Sequence, residues 1–362
     1  MPPLLDRRFP EVPLRKVPDM GLAELERIRL ILRGGSVIDW RRMHFSSREE
    51  VDRFLRLCGL DPSNAWDEAW MRVVLGDAVE YLRKTFKYRV NPAVANPEHI
   101  QDLFLFASGL EDPRYRRIAC IVLKVMHVIQ HIEGRDLLFR LAVSEAQLSD
   151  LVTRKVAAVV EPLLKPGGPL AEFSDSTKTR DSLITKLLAK KETVAAQVYD
   201  KTRFRLVTRT AADVLPVLQY LTDTLFPFNF AVPGQTENSL LPFKGVLEQY
   251  PHLQRFKDDL HLDVDFEDRE QHAANQFSGR SYRVLNFVAD IPVRMDAYLP
   301  PPEEDRRERK GRVGFALVEF QVVDEATAQE NQAGENSHGR YKRRQLIKVL
   351  QRLSKGLVVP KR

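Results

Sequence analysis

Glu319 and Gln321 lie two residues apart in an otherwise apolar segment, GRVGFALVEFQVV, at residues 311–323. A run of this length and composition predicts a buried β-strand. Because side chains alternate between the two faces of a strand, Glu319 and Gln321 share one face. A buried carboxylate is costly unless another group pairs with it. Either this face opens to water, or it faces a functional site.

Two lysines and an aspartate precede the first strand predicted in the second half of the chain. Lys178 and Lys186 are eight residues apart on a predicted helix, a little over two turns, so they can share a face. Asp200 lies just before the predicted strand at residues 203–208. Asp200 and Glu319, on neighbouring strands, can together hold Mg²⁺ with the oxygens of a triphosphate. The two lysines would neutralise phosphate charge, as the transfer of a phosphoryl group demands.

Two other groups of residues suit metals less well. His127 and His131 lie four apart on a predicted helix, which suits zinc, but the segment is apolar and suggests no third ligand nearby. They are therefore predicted to be core or capping residues. Residues 258–270 hold seven acidic residues in thirteen but lack the glycine that a calcium loop needs, so an exposed insertion is predicted.

The first half of the chain has helical patterns almost throughout. Residues 20–165 contain repeated cap signals, and nothing in them alternates with period two for long. Asn96 predicts the start of one helix, and Gly109 its end. The segment at residues 116–134 is apolar almost all round, which predicts the central helix of this region.

The second half combines strands with helices. The Pro- and Gly-rich segment KPGGPLAEFSDS, residues 165–176, predicts a domain boundary. The predicted strands lie at residues 203–208, 282–295 and 311–323. The sequence therefore predicts an α+β protein with an all-helical N-terminal domain followed by a mixed-sheet domain. The predicted domains span residues 1–165 and 170–362, with an insertion in the second near 245–275.

Composition narrows the class of protein. A chain of 362 residues with an apolar fraction of 43% can bury two cores, and no apolar run is long enough to cross a bilayer. The two cysteines, Cys58 and Cys120, favour a cytoplasmic protein without disulfides. The net charge of +6 is concentrated in residues 340–362, which hold nine basic and no acidic residues. Such a helix is either solvated or faces a polyanion.

From Lys178 onward, five motifs follow in the order found in the RelA/SpoT family, the guanosine polyphosphate (alarmone) synthetases. The chain resembles the synthetase domain of this family over residues 178–362. The motifs are Lys178, Ser182 and Lys186 in KTRDSLITK; Asp200 and Arg205 in YDKTRFR; Tyr282 to Asn286 in YRVLN; Glu319 to Val322 in EFQV; and His338, Tyr341 and Lys342 in HGRYK.

The resemblance implies a nucleotidyltransferase-like sheet and a GTP diphosphokinase-like reaction. Such an enzyme moves pyrophosphate from ATP to the 3′-hydroxyl of a guanine nucleotide, and some members of the family use the 3′ end of tRNA instead. By the same resemblance, Asp200 and Glu319 would be catalytic and would hold Mg²⁺. Glu319 would assist the metal or activate the acceptor hydroxyl, which needs a base within hydrogen-bond reach.

The remaining motif residues would bind the nucleotides. The resemblance assigns the donor phosphates to Lys178, Lys186 and Arg205. Tyr282 would stack on the acceptor base, because an aromatic ring can hold a purine in this way. The other implied binding residues are Gln321 on the strand with Glu319, and His338 and Lys342 beside the acceptor phosphates.

Four positions depart from the family pattern. Ser176 and Val323 replace arginines, Val284 replaces a serine, and Asn286 replaces a histidine. These changes favour an alternative, a nucleotide sensor that keeps the fold and has lost the chemistry. A third alternative, an RNA-binding protein, depends only on the basic segment at residues 340–362. The helical half lacks the His-Asp metal motif of the family's hydrolase domain, so hydrolysis of the product is not expected.

Overall fold

The computed structural model describes residues 12–34, 44–110, 112–189, 202–260, 282–301, 310–332 and 338–354. Asp200 lies outside the described residues, and so does most of the predicted acidic insertion, residues 261–270. Across the described ranges, none of the helices combines the length and the apolar character needed to span a bilayer.

The first half forms helices, as its patterns predict. They are α1 Leu22–Arg33, α2 Arg48–Leu57, α3 Ala65–Phe86, α4 Pro92–Ala95, α5 Asp102–Ser108, α6 Pro113–Arg140 and α7 Glu145–Val160. The predicted central helix is part of α6, and Gly109 ends α5 with a left-handed φ of 77°. The predicted helix start at Asn96 is wrong. Residues 96–101 form turns, and Asp102 accepts a hydrogen bond from the backbone nitrogen of His99 at 3.3 Å.

A five-stranded mixed sheet forms the second half and confirms the predicted α+β class. Its strands are β1 Leu170–Thr177, β2 Thr202–Thr208, β3 Glu237–Asn238, β4 Leu285–Arg294 and β5 Val313–Asp324. The spatial order is β1-β2-β5-β4-β3, with β2 and β5 parallel and the other neighbours antiparallel. The helices are α8 Arg180–Ala189, α9 Val214–Thr224, α10 Phe243–Glu248, α11 Glu325–Gln332 and α12 His338–Leu353.

The two faces of the sheet differ in polarity. Phe204, Phe287 and Phe320 lie on one face, with ring centroids 5.1–5.6 Å apart from strand to strand. Phe226 stacks on Phe320 at 5.7 Å and closes this aromatic core. Because side chains alternate along a strand, the residues before and after each of these phenylalanines point to the opposite face. That opposite face is where the predicted site residues lie.

The helical half packs directly on the sheet. A Cβ atom at Gly134 of α6 would overlap the Phe315 ring and lie 2.9 Å from the Val313 carbonyl oxygen, so β5 contacts the bare helix backbone there. Lys155 of α7 donates a hydrogen bond to the carbonyl oxygen of Pro292 at 2.7 Å. Buried residues of both halves belong to one continuous hydrophobic cluster. The division into two domains stays a prediction.

The two histidines of α6 lie in this contact. His131 Nδ1 is 3.2 Å from a carboxylate oxygen of Asp290, and its ring stacks on Phe315 at 4.3 Å. His127 Nδ1 is 3.3 Å from Asn229 Nδ2. Burial lowers the pKa of His127 to about 3, with a smaller contribution from His131. These contacts are the packing and pairing expected of core residues.

Candidate functional site

The strand register places the predicted residues in two rows across the polar face. The first row joins all five strands and consists of Ser174, Arg205, Gln321, Asn286 and Glu237. The second row lies two residues along and consists of Ser176, Arg203, Glu319 and Val288. Neighbouring strands are about 4.8 Å apart, so residues adjacent in a row lie within reach of one another.

Arg203 and Glu319 form the central ion pair of the second row. Arg203 Nε lies 2.9 Å from Glu319 Oε2, and the two side chains are 31% and 12% exposed. This contact follows from the parallel register, which sets the two residues side by side. Arg203 was not among the residues implied by the motifs. Its position two residues before Arg205, on the same face of β2, is the signal that could have identified it.

Lys178 and Lys186 lie beside this ion pair. Lys178 follows β1 and Lys186 lies on α8, and the two side chains are close enough for their charges to interact. Burial, followed by the charges of Lys186 and Arg203, lowers the pKa of Lys178 to about 6, and Glu319 opposes the shift. The prediction that both lysines lie on one helix is wrong, because α8 begins at Arg180; the turn between β1 and α8 nevertheless brings Lys178 and Lys186 together near Glu319.

Tyr282 lies beside the first row and contacts its central residue, Gln321. Gln321 Nε2 donates a hydrogen bond to the Tyr282 hydroxyl at 3.1 Å, which fixes the ring relative to β5. Burial raises the pKa of Tyr282, against the charges of Arg205 and Arg203. The partly buried ring packs on an apolar cluster that contains Val284 and Val323.

This cluster explains two of the departures from the family pattern. Val284 is fully buried and Val323 is 2% exposed, with Val207 and Ala328 as the other members of the cluster. An arginine at position 323 would put a charge into this packing, which is costly. The replaced polar side chains have thus become the apolar support of Tyr282.

Two buried polar atoms of the first row have no hydrogen-bond partner among the residues that the structure describes. They are Arg205 Nε and Asn286 Oδ1, on either side of Gln321. An unsatisfied buried polar group costs about 1–3 kcal/mol, so a ligand or a water molecule that pairs with it is stabilised. Arg205 offers a charged donor, which suits a phosphate oxygen.

The charges of the described site favour an anion. Lys186, Arg203 and Arg205, with Lys178 as a further group that can take up a proton, lie among two carboxylates, Glu237 and Glu319, of which Glu319 pairs with Arg203. A site with this excess of positive charge attracts phosphate and repels a metal ion. The described residues alone therefore do not fit Mg²⁺. The predicted second ligand, Asp200, lies outside the described residues.

The last motif lies on α12. His338 is the first residue of this helix, and its side chain lies outside what the structure describes. Lys342 is exposed one turn further along. α12 packs beside α8, where Arg352 donates a hydrogen bond to the Leu188 carbonyl oxygen at 2.6 Å. Of the described contacts, none joins Lys342 to Glu319, so its role stays a prediction.

No protein-family model and no curated protein sequence matches the chain. Solved structures similar to it include small alarmone synthetase 1 from Bacillus subtilis, at 12% identity and a TM-score of 0.31, over 61% of this chain and 92% of that chain. Small alarmone synthetase 2 from the same organism is 14% identical, with a TM-score of 0.26, over 60% and 93%. A GTP pyrophosphokinase family protein from Streptococcus pneumoniae is 12% identical, with a TM-score of 0.31, over 61% and 88%.

These structures belong to the group of proteins that the sequence motifs resemble. At such TM-scores the likeness carries no argument about activity. Any argument about activity has to come from the side chains on the polar face of the sheet.

Proposed function

We propose that the chain binds ATP and a guanine nucleotide on the polar face of the sheet and transfers pyrophosphate to the 3′-hydroxyl of the acceptor. One observation supports this above the others: Lys178, Lys186 and Arg203 lie around Glu319, and Arg205 follows Arg203 two residues along on the same face. A cluster of cations fits a polyphosphate, and a carboxylate within it fits an attacking hydroxyl.

The proposed reaction forms one bond and breaks one. The 3′-oxygen of the acceptor attacks the β-phosphorus of ATP, and the bond from that phosphorus to the oxygen bridging to the α-phosphate breaks. AMP leaves, and Glu319 takes the proton of the hydroxyl. The lysines and arginines offset the charge that spreads over the phosphate oxygens during transfer. The predicted Mg²⁺ requirement depends on Asp200 and is no part of these steps.

The guanine acceptor is inferred from the sequence resemblance, and Tyr282 is the residue that would hold its base. The ring is positioned by Gln321 and supported from behind by the Val284 and Val323 cluster. A fixed aromatic ring stacks on a purine without losing much side-chain freedom. The 3′ end of a tRNA, which also ends in a purine nucleoside, is the alternative acceptor.

A second candidate function is a nucleotide sensor without catalysis. The ion pair between Arg203 and Glu319 is the observation that favours it, because a carboxylate held by a guanidinium is a poorer base. In a sensor, the same cations would bind nucleotide, and Glu319 would only hold Arg203 in position.

Label transfer separates the two functions. The full chain is incubated with Mg²⁺ and ATP labelled at the γ-phosphate, with GDP, GTP or bulk tRNA as acceptor. We expect label on one acceptor and released AMP from the wild type and from Glu68→Gln, a control whose ion pair with Arg72 lies on α3. Glu319→Gln should lose transfer. Nucleotide binding without any transfer would support the sensor, and failure to bind nucleotide would contradict both.

A further inference from the structure

Three large aromatic side chains are exposed at the end of α3. Tyr81, Phe86 and Tyr88 are 46%, 58% and 37% exposed. Their rings form a continuous edge-to-face row, with centroids 5.7 Å apart from Tyr81 to Phe86 and 6.5 Å apart from Phe86 to Tyr88. Contiguous exposed apolar groups on a folded protein mark an interaction surface.

The backbone holds these rings outward by a fixed geometry. Leu82, between Tyr81 and Phe86, and Val90, after Tyr88, are buried and anchor the segment. Lys87 ends the helix in the left-handed region with a φ of 58°, and the Tyr88 nitrogen bonds to the Leu82 carbonyl oxygen at 3.2 Å. A lysine is strained in this conformation, and such strain is commonly retained where it positions a functional group.

Basic side chains lie among the rings. Residues 81–91 hold four basic and no acidic residues, and residues 113–132 hold four basic and no acidic residues. The carboxylates that border these segments along the chain are Glu80, Asp112 and Glu133. Asp112 pairs with Arg114 at 2.6 Å, so these two charges offset each other and leave the charge of the other basic residues of that segment.

A cavity of about 500 Å³ connects the two basic segments, between the loop after α3 and the first turns of α6. Its lining includes two aromatic rings, Tyr88 and Tyr115, and three cations, Arg89, Arg114 and Arg117. This volume lies within the range of small-ligand sites. The groove therefore presents aromatic rings and guanidinium groups to the same occupant.

We propose that this surface, the aromatic-basic platform of Tyr81, Phe86, Tyr88, Arg89 and Arg117, binds single-stranded nucleic acid. Bases stack on exposed rings whatever their sequence, and cations along a groove follow the phosphate backbone. A duplex hides its base faces, so it would gain only the charge interaction. The platform lies on the helical half, apart from the sheet site, and the proposal does not depend on pyrophosphate transfer.

Binding is measured by the fluorescence anisotropy of a labelled oligouridylate, with oligothymidylate and a base-paired RNA hairpin stem as the other arms. We expect the full chain to bind both single strands more tightly than the duplex. Phe86→Ala or Tyr88→Ala should weaken binding roughly 5- to 150-fold, since each removes a stacked base. Arg117→Gln should reduce the dependence of log affinity on log salt by about 0.7, the slope for one contact to a single strand.

Matched controls lie at the other end of α6. Phe139 is 85% exposed and Arg140 is exposed, about 33 Å along the helix from Arg117. Phe139→Ala and Arg140→Gln should leave affinity and salt slope unchanged. The altered side chains of the platform and of the controls are all exposed, so their loss leaves the core intact.

Several outcomes would overturn the proposal. One is no binding of either single strand at low salt; another is equal loss in the control variants. A third is binding that Lys342→Gln on α12 removes and Phe86→Ala does not. A fourth is tighter binding of the full chain to vesicles of equal parts phosphatidylserine and phosphatidylcholine than to either single strand. If Phe86→Ala weakens that binding, the platform is a membrane site.

Discussion

At the scale of single residues, a bound polyphosphate would compete with Glu319 for Arg203. Arg203 Nε lies 2.9 Å from Glu319 Oε2, and Lys178 and Lys186 lie beside this ion pair. Phosphate attracts the guanidinium and repels the carboxylate, so binding would loosen the pair. Glu319 would then be released from Arg203 when ATP binds. The ion pair would in this way make the base available only after the donor is bound.

Arg203→Gln tests whether the guanidinium binds the nucleotide. The substitution removes a charge-assisted hydrogen bond to phosphate, and we expect ATP affinity to fall roughly 10- to 100-fold. Calorimetric titration of the full chain measures it. Arg72→Gln, which disrupts a Glu–Arg pair on α3, serves as the control. Unchanged affinity in Arg203→Gln would show that Arg203 only restrains Glu319.

Lys178 gives the site a pH dependence. Its pKa falls from 10.5 in the unfolded chain to about 6 in the folded protein, mainly through burial. Between these values the unfolded state binds one more proton than the folded state, so the contribution of Lys178 to folding stability rises with pH. A bound polyphosphate favours the protonated lysine, so nucleotide binding should take up close to one proton near pH 8.

Calorimetric titration in buffers of different ionisation enthalpy measures how many protons the protein takes up when nucleotide binds. We expect uptake by the wild type and by Lys124→Met, a control on α6, and a much smaller uptake by Lys178→Met. Affinity should also decrease as pH rises above 6. If the wild type takes up no proton at pH 8, phosphate does not contact Lys178.

At the scale of elements, apolar alternation decided which strands were predictable. β2 and β5 alternate or run apolar for their whole length, and the predicted bounds differ from the observed ones by one or two residues. β1 was missed and taken for a boundary. It is an edge strand whose Ser174, Asp175 and Ser176 are exposed, so it carries little apolar signal after Leu170.

The site was predictable where it depends on motif spacing and not where it depends on register. The motif spacing predicted that Lys178 and Lys186 lie together, although Lys178 precedes α8 rather than sharing it, and the strand pattern placed Glu319 and Gln321 together. The partnership of Arg203 with Glu319 required the knowledge that β2 and β5 are parallel neighbours. The packing of Val323 under Tyr282 likewise depends on α11 and on two further strands.

Two glycines provide a paired test of how α6 packs on the sheet. Ala at Gly134 would overlap Phe315 and approach the Val313 carbonyl, and overpacking costs about 1–3 kcal/mol. A Cβ atom at Gly76, on α3, would meet nothing within 4 Å, so Gly76→Ala should stabilise the protein by roughly 0.5–1 kcal/mol. Urea unfolding of both variants measures the difference. Equal effects would contradict the close approach of α6 and β5.

At the scale of the whole molecule, ionic contacts as well as packing join the helices to the sheet. Arg294 of β4 bonds to Asp67 of α3 at 2.6 Å and to the Gly59 carbonyl oxygen at 3.0 Å. Asp67 is 2% exposed and also accepts from the Asp61 nitrogen at 2.9 Å. Because the core is continuous across this contact, we expect the helical and sheet halves to unfold in one cooperative step.

Asp67→Asn tests this coupling. The substitution removes one charge of a buried pair and leaves Arg294 paired only with Asp296 at the surface. We expect the free energy of unfolding to fall by roughly 3 kcal/mol. Asp150→Asn, in an exposed pair with Arg154, should cost less than about 1 kcal/mol. Scanning calorimetry should show a single transition for the wild type and both variants. Two transitions in the wild type would instead show that the predicted domains unfold independently, and the sheet site would then be separable from the platform on the helices.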